Sequence, residues 1–104
     1  MNYVDLTLEQ QDLLREMSHY IWWQSCEDSL ERPERLIAQI MDIGTLDDER
    51  KLWEKLGSAL LLSVIRCARP GWFRPKSWAF WNYQLEVVPV NVEPPEMPSR
   101  RVSA

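Results

Sequence analysis

Proline and glycine divide this chain into intervals of helical length. Pro33 suits the first turn of a helix, Gly44 precedes Thr45, Gly57 precedes Ser58, Pro70-Gly71 forms a break and Pro75 opens another segment. Between these points apolar residues recur at three- and four-residue steps. Thr7 and Gln10 have the spacing of a capping box, followed by Leu13, Leu14, Met17, Tyr20 and Ile21, which predicts a first helix over about 8–22. Leu36, Ile37, Ile40 and Met41 give the second helix its apolar face. Thr45, followed by Asp47, Asp48 and Glu49 in a first turn, starts the third, whose Leu52, Trp53 and Leu56 face inward. Ser58 starts the fourth with Leu61, Leu62, Val64, Ile65 and Ala68, and Pro75 the fifth through Trp78, Trp81 and Leu85.

Short connectors place successive helices side by side, so the expected fold is all-α, a compact bundle of about five short helices. A solenoid-like fragment is the alternative, although the single thirteen-residue interval between Gly44 and Gly57 does not establish a repeat. The domain is expected over 1–86. Beyond it, Val87 to Val92 reads as an extended arm, and the Pro-rich residues from Glu93 as a flexible tail.

The segment Pro70 to Tyr83 holds three of the six Trp, both Phe and one Tyr, with Arg74, Lys76 and no acid. One short helix has little room to hide so many rings, and apolar faces left over after folding mark docking sites. Trp53, Trp78 and Trp81 are expected to pack together, leaving Trp72, Phe80 or Tyr83 exposed. Charge reinforces the contrast between the halves. Residues 1–54 carry thirteen acids against five bases, whereas residues 55–85 carry Lys55, Arg66, Arg69, Arg74 and Lys76 with no acid. These halves either attract each other or steer the basic end toward an acidic partner or a phosphate backbone.

Little in the chain points to catalysis. His19 is the single histidine and reads as structural or solvated, while the three scattered glycines form no phosphate-cradling loop. The acids at 47–49 read as a helix start, not a metal cluster. Cys26 and Cys67 have no zinc or redox spacing and are expected to be small core residues. There is no apolar run long enough to span a bilayer and no basic start to an export signal, so a cytoplasmic, cofactor-free protein is expected. Interleaved Arg66, Arg69, Arg74 and Lys76 with Trp72, Phe73 and Trp78 keep nucleic-acid binding as an alternative, against a sequence pI near 5.0.

Tyr20-Ile21-Trp22-Trp23, the stretch from Arg32 to Asp48, and Lys76-Ser77-Trp78-Ala79-Phe80-Trp81 together resemble a family of small uncharacterised bacterial helical proteins. The resemblance covers roughly residues 20–85, and Trp23 departs from it, since relatives more often carry an acid there. Members are often encoded beside nucleotidyltransferase-type toxins of the abortive-infection class. The resemblance therefore implies an antitoxin or toxin-associated role, with no catalytic residues to carry over. The resulting expectation is a non-enzymatic protein-binding module that occludes a partner through Arg69, Trp72, Phe73, Arg74, Lys76, Phe80 and Tyr83. A nucleic-acid-binding accessory role and a homo-oligomer are the competing expectations.

Overall fold

A computed structural model describes residues 1–98. Its five α-helices are α1 Leu8–Glu16, α2 Cys26–Glu31, α3 Pro33–Ile43, α4 Leu46–Arg66 and α5 Pro75–Gln84, with short 3-10 turns at Tyr3–Asp5 and Ser18–Tyr20. The described residues form an all-helical globule of 38 × 32 × 24 Å. That matches the bundle expected from the punctuation.

The middle helix is the hub. Along α3, Leu36, Ile37, Ala38 and Ile40 are fully buried and Met41 nearly so, because α1, α2, α4 and α5 all pack against it. A helix enclosed on several sides needs more than one apolar face, and α3 is apolar around most of its circumference. Its exit is sterically fixed. A Cβ added at Gly44 would lie 2.3 Å from the Ile40 carbonyl oxygen, so the turn into α4 admits glycine for reasons of space. The backbone there is in the extended region, at φ −66°.

Several local expectations are met. Thr7 and Gln10 form the reciprocal capping box, with Gln10 N–H donating to Thr7 Oγ1 and Thr7 N–H to Gln10 Oε1. Thr45 Oγ1 accepts from Asp48 N–H, and Pro33 and Pro75 occupy the first turns of their helices. Gly57 has φ 82° and ψ 162°, which bends α4 sharply between its Leu46–Leu56 and Ser58–Arg66 halves. The third and fourth expected helices are thus both present, as two limbs that meet at Gly57.

The first helix is shorter than its apolar spacing predicts. It ends at Glu16, Ser18 Oγ donates to the Arg15 carbonyl, and the chain tightens into the 3-10 turn. The turn carries Tyr20 to the start of α4, where its hydroxyl donates to Asp48 Oδ2 and accepts from Thr45 N–H. Burial, followed by the Asp48 contact, raises the Tyr20 pKa. The polar stretch after it contains an unforeseen helix, α2, capped by Ser25 Oγ, which accepts from Asp28 N–H.

The expected extended arm is instead a set of turns, in which Val87 N–H donates to the Asn82 carbonyl and Val92 N–H to that of Pro89. The following residues return to α5. Trp78 Nε1 donates to the Pro95 carbonyl at 2.7 Å, and Met97 packs against the core. The rest of the expected tail, residues 99–104, lies outside the described residues. Of the two cysteines expected in the core, Cys26 is half-buried and packs against it, whereas Cys67 is exposed at the end of α4. No helix among the described residues is long and apolar enough to cross a membrane.

Candidate functional site

The N-terminus of α5 is tied to the C-terminal end of α3 through one residue. Asp42 Oδ1 accepts from the Arg74 backbone N–H at 3.1 Å and from Arg74 Nε at 3.2 Å. The Asp42 carbonyl accepts from Arg74 Nη2 at 2.7 Å and from Ser77 Oγ at 3.1 Å. A carboxylate reached from another helix thereby satisfies an otherwise orphaned donor at a helix start. Arg74 and Lys55, which pairs with Glu9, each bridge the basic half of the chain to the acidic half.

So anchored, α5 packs on α3 and meets the first limb of α4 through its Trp81 side chain. Trp81 is 3% exposed, donates its Nε1 proton to the Met41 carbonyl at 2.8 Å, and stacks on Trp53 with ring centroids 6.4 Å apart. Phe80 meets the Trp81 ring edge-on at 5.2 Å and remains 49% exposed. Two adjoining depressions result, about 580 and 240 Å³ in volume, which share Glu49, Phe80 and Trp81. Lys76 and Arg74 border one, and Leu46, Trp53 and Gln84 the other. Leu46 is 71% exposed on the far rim. The whole is an apolar groove between two helices.

Glu49 is the charged residue common to both depressions, with Arg50 and Glu54 bordering one and Arg74 and Lys76 the other. Partial burial raises its carboxyl pKa, and among the described residues no cation lies within ion-pair distance. A folded-state pKa above the unfolded one means that the folded form holds the proton more tightly. Its contribution to stability is therefore full below the ordinary value of about 4.5 and is lost as pH rises through the elevated folded value. Glu49→Gln should remove this pH dependence and raise the melting temperature at neutral pH, as measured by thermal denaturation between pH 4 and 8. A partner cation beside Glu49 acts in the opposite sense, since it favours the carboxylate.

The structure distributes the sequence-expected site residues among four environments. Arg74, Lys76 and Phe80 border the groove. Arg69 and Trp72 face away from it into a separate cavity with Arg35. Phe73 is 7% exposed and packs against Trp78 at 5.7 Å, so its assignment as a partner-contacting ring is corrected: the loop before α5 folds it inward. Tyr83 is half-buried and donates its hydroxyl proton to the Val92 carbonyl, beneath the returning chain. Nor do the three inward Trp form one stack. Trp53 pairs with Trp81, whereas Trp78 sits with Phe73.

The opposite wall, Leu46 and Glu49, lies about thirty residues upstream, where Glu49 reads in the sequence only as a helix-start acid. The most exposed rings are also elsewhere. Trp22 and Trp23 are 73% and 53% exposed and meet edge-to-face at 4.7 Å. Catalytic groups are not gathered at the groove. His19 lies stacked on Tyr20 with Nδ1 3.1 Å from the Glu16 carbonyl, and among the described residues no three His, Cys, Asp or Glu side chains cluster as metal ligands. No family model, curated protein or solved structure matches the chain.

Proposed function

We propose that this protein is a non-enzymatic protein-binding module whose α4–α5 groove receives an apolar segment of a partner, with a basic partner side chain reaching Glu49. The observation that carries the reading is the groove itself: exposed Leu46 and Phe80 flank a Trp53–Trp81 floor, with one half-buried carboxylate unmatched among the described residues. A helix laid into such a channel anchors through apolar residues spaced at three and four positions. Covering the rims removes apolar surface from water at about 25 cal/mol per Å², before ordering costs are subtracted. The unmatched carboxylate adds selectivity, because a partner lacking a cation leaves it desolvated and unpaired.

Occlusion of a partner fits a chain that presents a groove and, among its described residues, gathers no three potential metal ligands. A toxin-neutralising role is one form of that reading and rests on the family resemblance alone. The groove predicts which substitutions matter. Phe80→Asp and Leu46→Asp should each abolish capture of a stoichiometric protein partner from native extract after nuclease treatment, with helicity by circular dichroism unchanged. Arg15→Ala, far from the groove, should not alter capture. Capture that survives both groove substitutions would overturn the assignment, as would loss of every bound protein on nuclease treatment. Growth of mass with concentration in light scattering, abolished by the same substitutions, would reassign the groove to self-association.

A further inference from the structure

On another part of the surface, the turn after Tyr20, α2, the start of α3 and the α4–α5 loop enclose a cavity of about 440 Å³. Its wall carries Arg32, Arg35 and Arg69, with Gln24, Ser29 and Trp72. Among the described residues, none of the three guanidinium groups has a carboxylate within ion-pair distance. Arg35 is half-buried and held in place, donating from Nη1 to Gln39 Oε1 at 3.1 Å while its guanidinium stands 5.7 Å above the Trp72 ring. Burial lowers its pKa, with Asp42 opposing. It is therefore a positioned charge with reduced hydration.

Ser29 supplies an independent observation. It is 1% exposed, lines the cavity, and among the described residues its Oγ has no hydrogen-bond partner. A buried hydroxyl without a partner is costly, and a ligand acceptor in the cavity would satisfy it. Asp28 and Glu31 also line the wall, so three cations face two carboxylates and the lining sums to +1. The acids disfavour a long polyanion, whose flanking phosphates would meet them, and leave a single compact anion as the better match. Guanidinium forks pair well with phosphate oxygens, and a volume of this order suits a small molecule.

We propose that this cavity binds a small phosphomonoester, its phosphate oxygens accepting from Arg32 and Arg69 and from the Ser29 hydroxyl, with Arg35 fixed behind them on Trp72. This site is separate from the α4–α5 groove and does not depend on what the groove binds. Trp22 and Trp23, both exposed, lie in the chain between Ile21 and Gln24, which line the cavity. The pair offers ring surface to the part of the ligand outside it.

The test is isothermal titration calorimetry of the full chain with adenosine monophosphate, ribose 5-phosphate and adenosine. Both phosphates should bind with one site per chain, and adenosine should not. Arg32→Ala and Arg69→Ala should each weaken phosphate binding roughly tenfold, the loss expected for one charge-assisted contact. Ser29→Ala should weaken it several-fold without lowering the melting temperature, because among the described residues the hydroxyl bonds to no protein group. Phe80→Asp should leave it unchanged. Absence of binding by both phosphates would overturn the proposal, as would equal binding of adenosine or full affinity in Arg69→Ala. Binding of a ten-nucleotide single strand when neither phosphate binds would also overturn it and reassign the arginines to nucleic acid.

Discussion

Replacing Trp81 with Ala should lower the unfolding free energy by about 3–5 kcal/mol, a large part of the roughly 5–15 kcal/mol that stabilises a domain of ordinary size. The ring is 3% exposed and contributes in three ways: it fills the space between α5 and α3, it supports the Trp53 stack, and it donates to the Met41 carbonyl. Trp81→Phe keeps much of the volume but orphans that carbonyl, and should cost about 1–3 kcal/mol. Urea denaturation followed by circular dichroism separates the two effects. A loss below about 1 kcal/mol for the alanine variant would show that the interior closes around the vacancy, contrary to the packing described. Because Trp81 also floors the groove, its truncation cannot report on partner binding alone. Phe80, whose ring is half in solvent, serves that purpose.

The elements legible in the sequence were those with chemical punctuation. A capping box, two helix-starting prolines and the glycine bend each act within a few residues, and a local window contains their whole cause. Helix α1 shows where such a window fails. Leu13, Leu14, Met17, Tyr20 and Ile21 keep helical spacing, yet the chain leaves the helix at Met17 because the Tyr20 hydroxyl is engaged by Thr45 and Asp48, more than twenty residues away. The six residues of α2 are too few for periodicity to register, although the Ser25 cap with Glu27 and Asp28 behind it was a usable signal.

The groove was legible on one side. Spacing along α5 separates inward Trp78 and Trp81 from outward Lys76 and Phe80, which is the division observed. It could not supply Leu46 and Glu49, since the pairing of α4 with α5 is decided by packing on α3. The surplus of rings also overstated the exposed surface. Phe73, Trp78 and Trp81 are all buried, because the preceding loop and the returning residues near Pro95 and Met97 add cover that one helix against a core would lack. Where the chain leaves its rings most exposed, at Trp22 and Trp23, the expected helix over 8–22 ended at the first of them.

The same dependence on a distant residue makes Asp42 the polar side chain on which the groove's geometry most depends. Asp42→Ala should destabilise the protein by about 2–3 kcal/mol, combining the loss of a helix-start acceptor with that of a charge-assisted bond. The carboxylate side chain is only 10% exposed, whereas Arg74 is 66% exposed, so most of the effect belongs to the backbone contact and little to the ion pair. A double-mutant cycle tests that division. Arg74→Ala keeps the backbone donor and should cost no more than about 1 kcal/mol, with a coupling to Asp42→Ala smaller than the effect of Asp42→Ala alone. Asp42→Asn retains an acceptor oxygen and should recover part of the loss. The first turn of α5 carries Lys76 and leads directly to Phe80, so loosening it should also weaken partner capture more than the stability change alone explains. If Asp42→Ala instead matched Arg74→Ala in stability and left capture intact, the contacts to the Asp42 and Met41 carbonyls and the buried tryptophans would suffice to hold α5, and the groove would not depend on the Asp42 carboxylate.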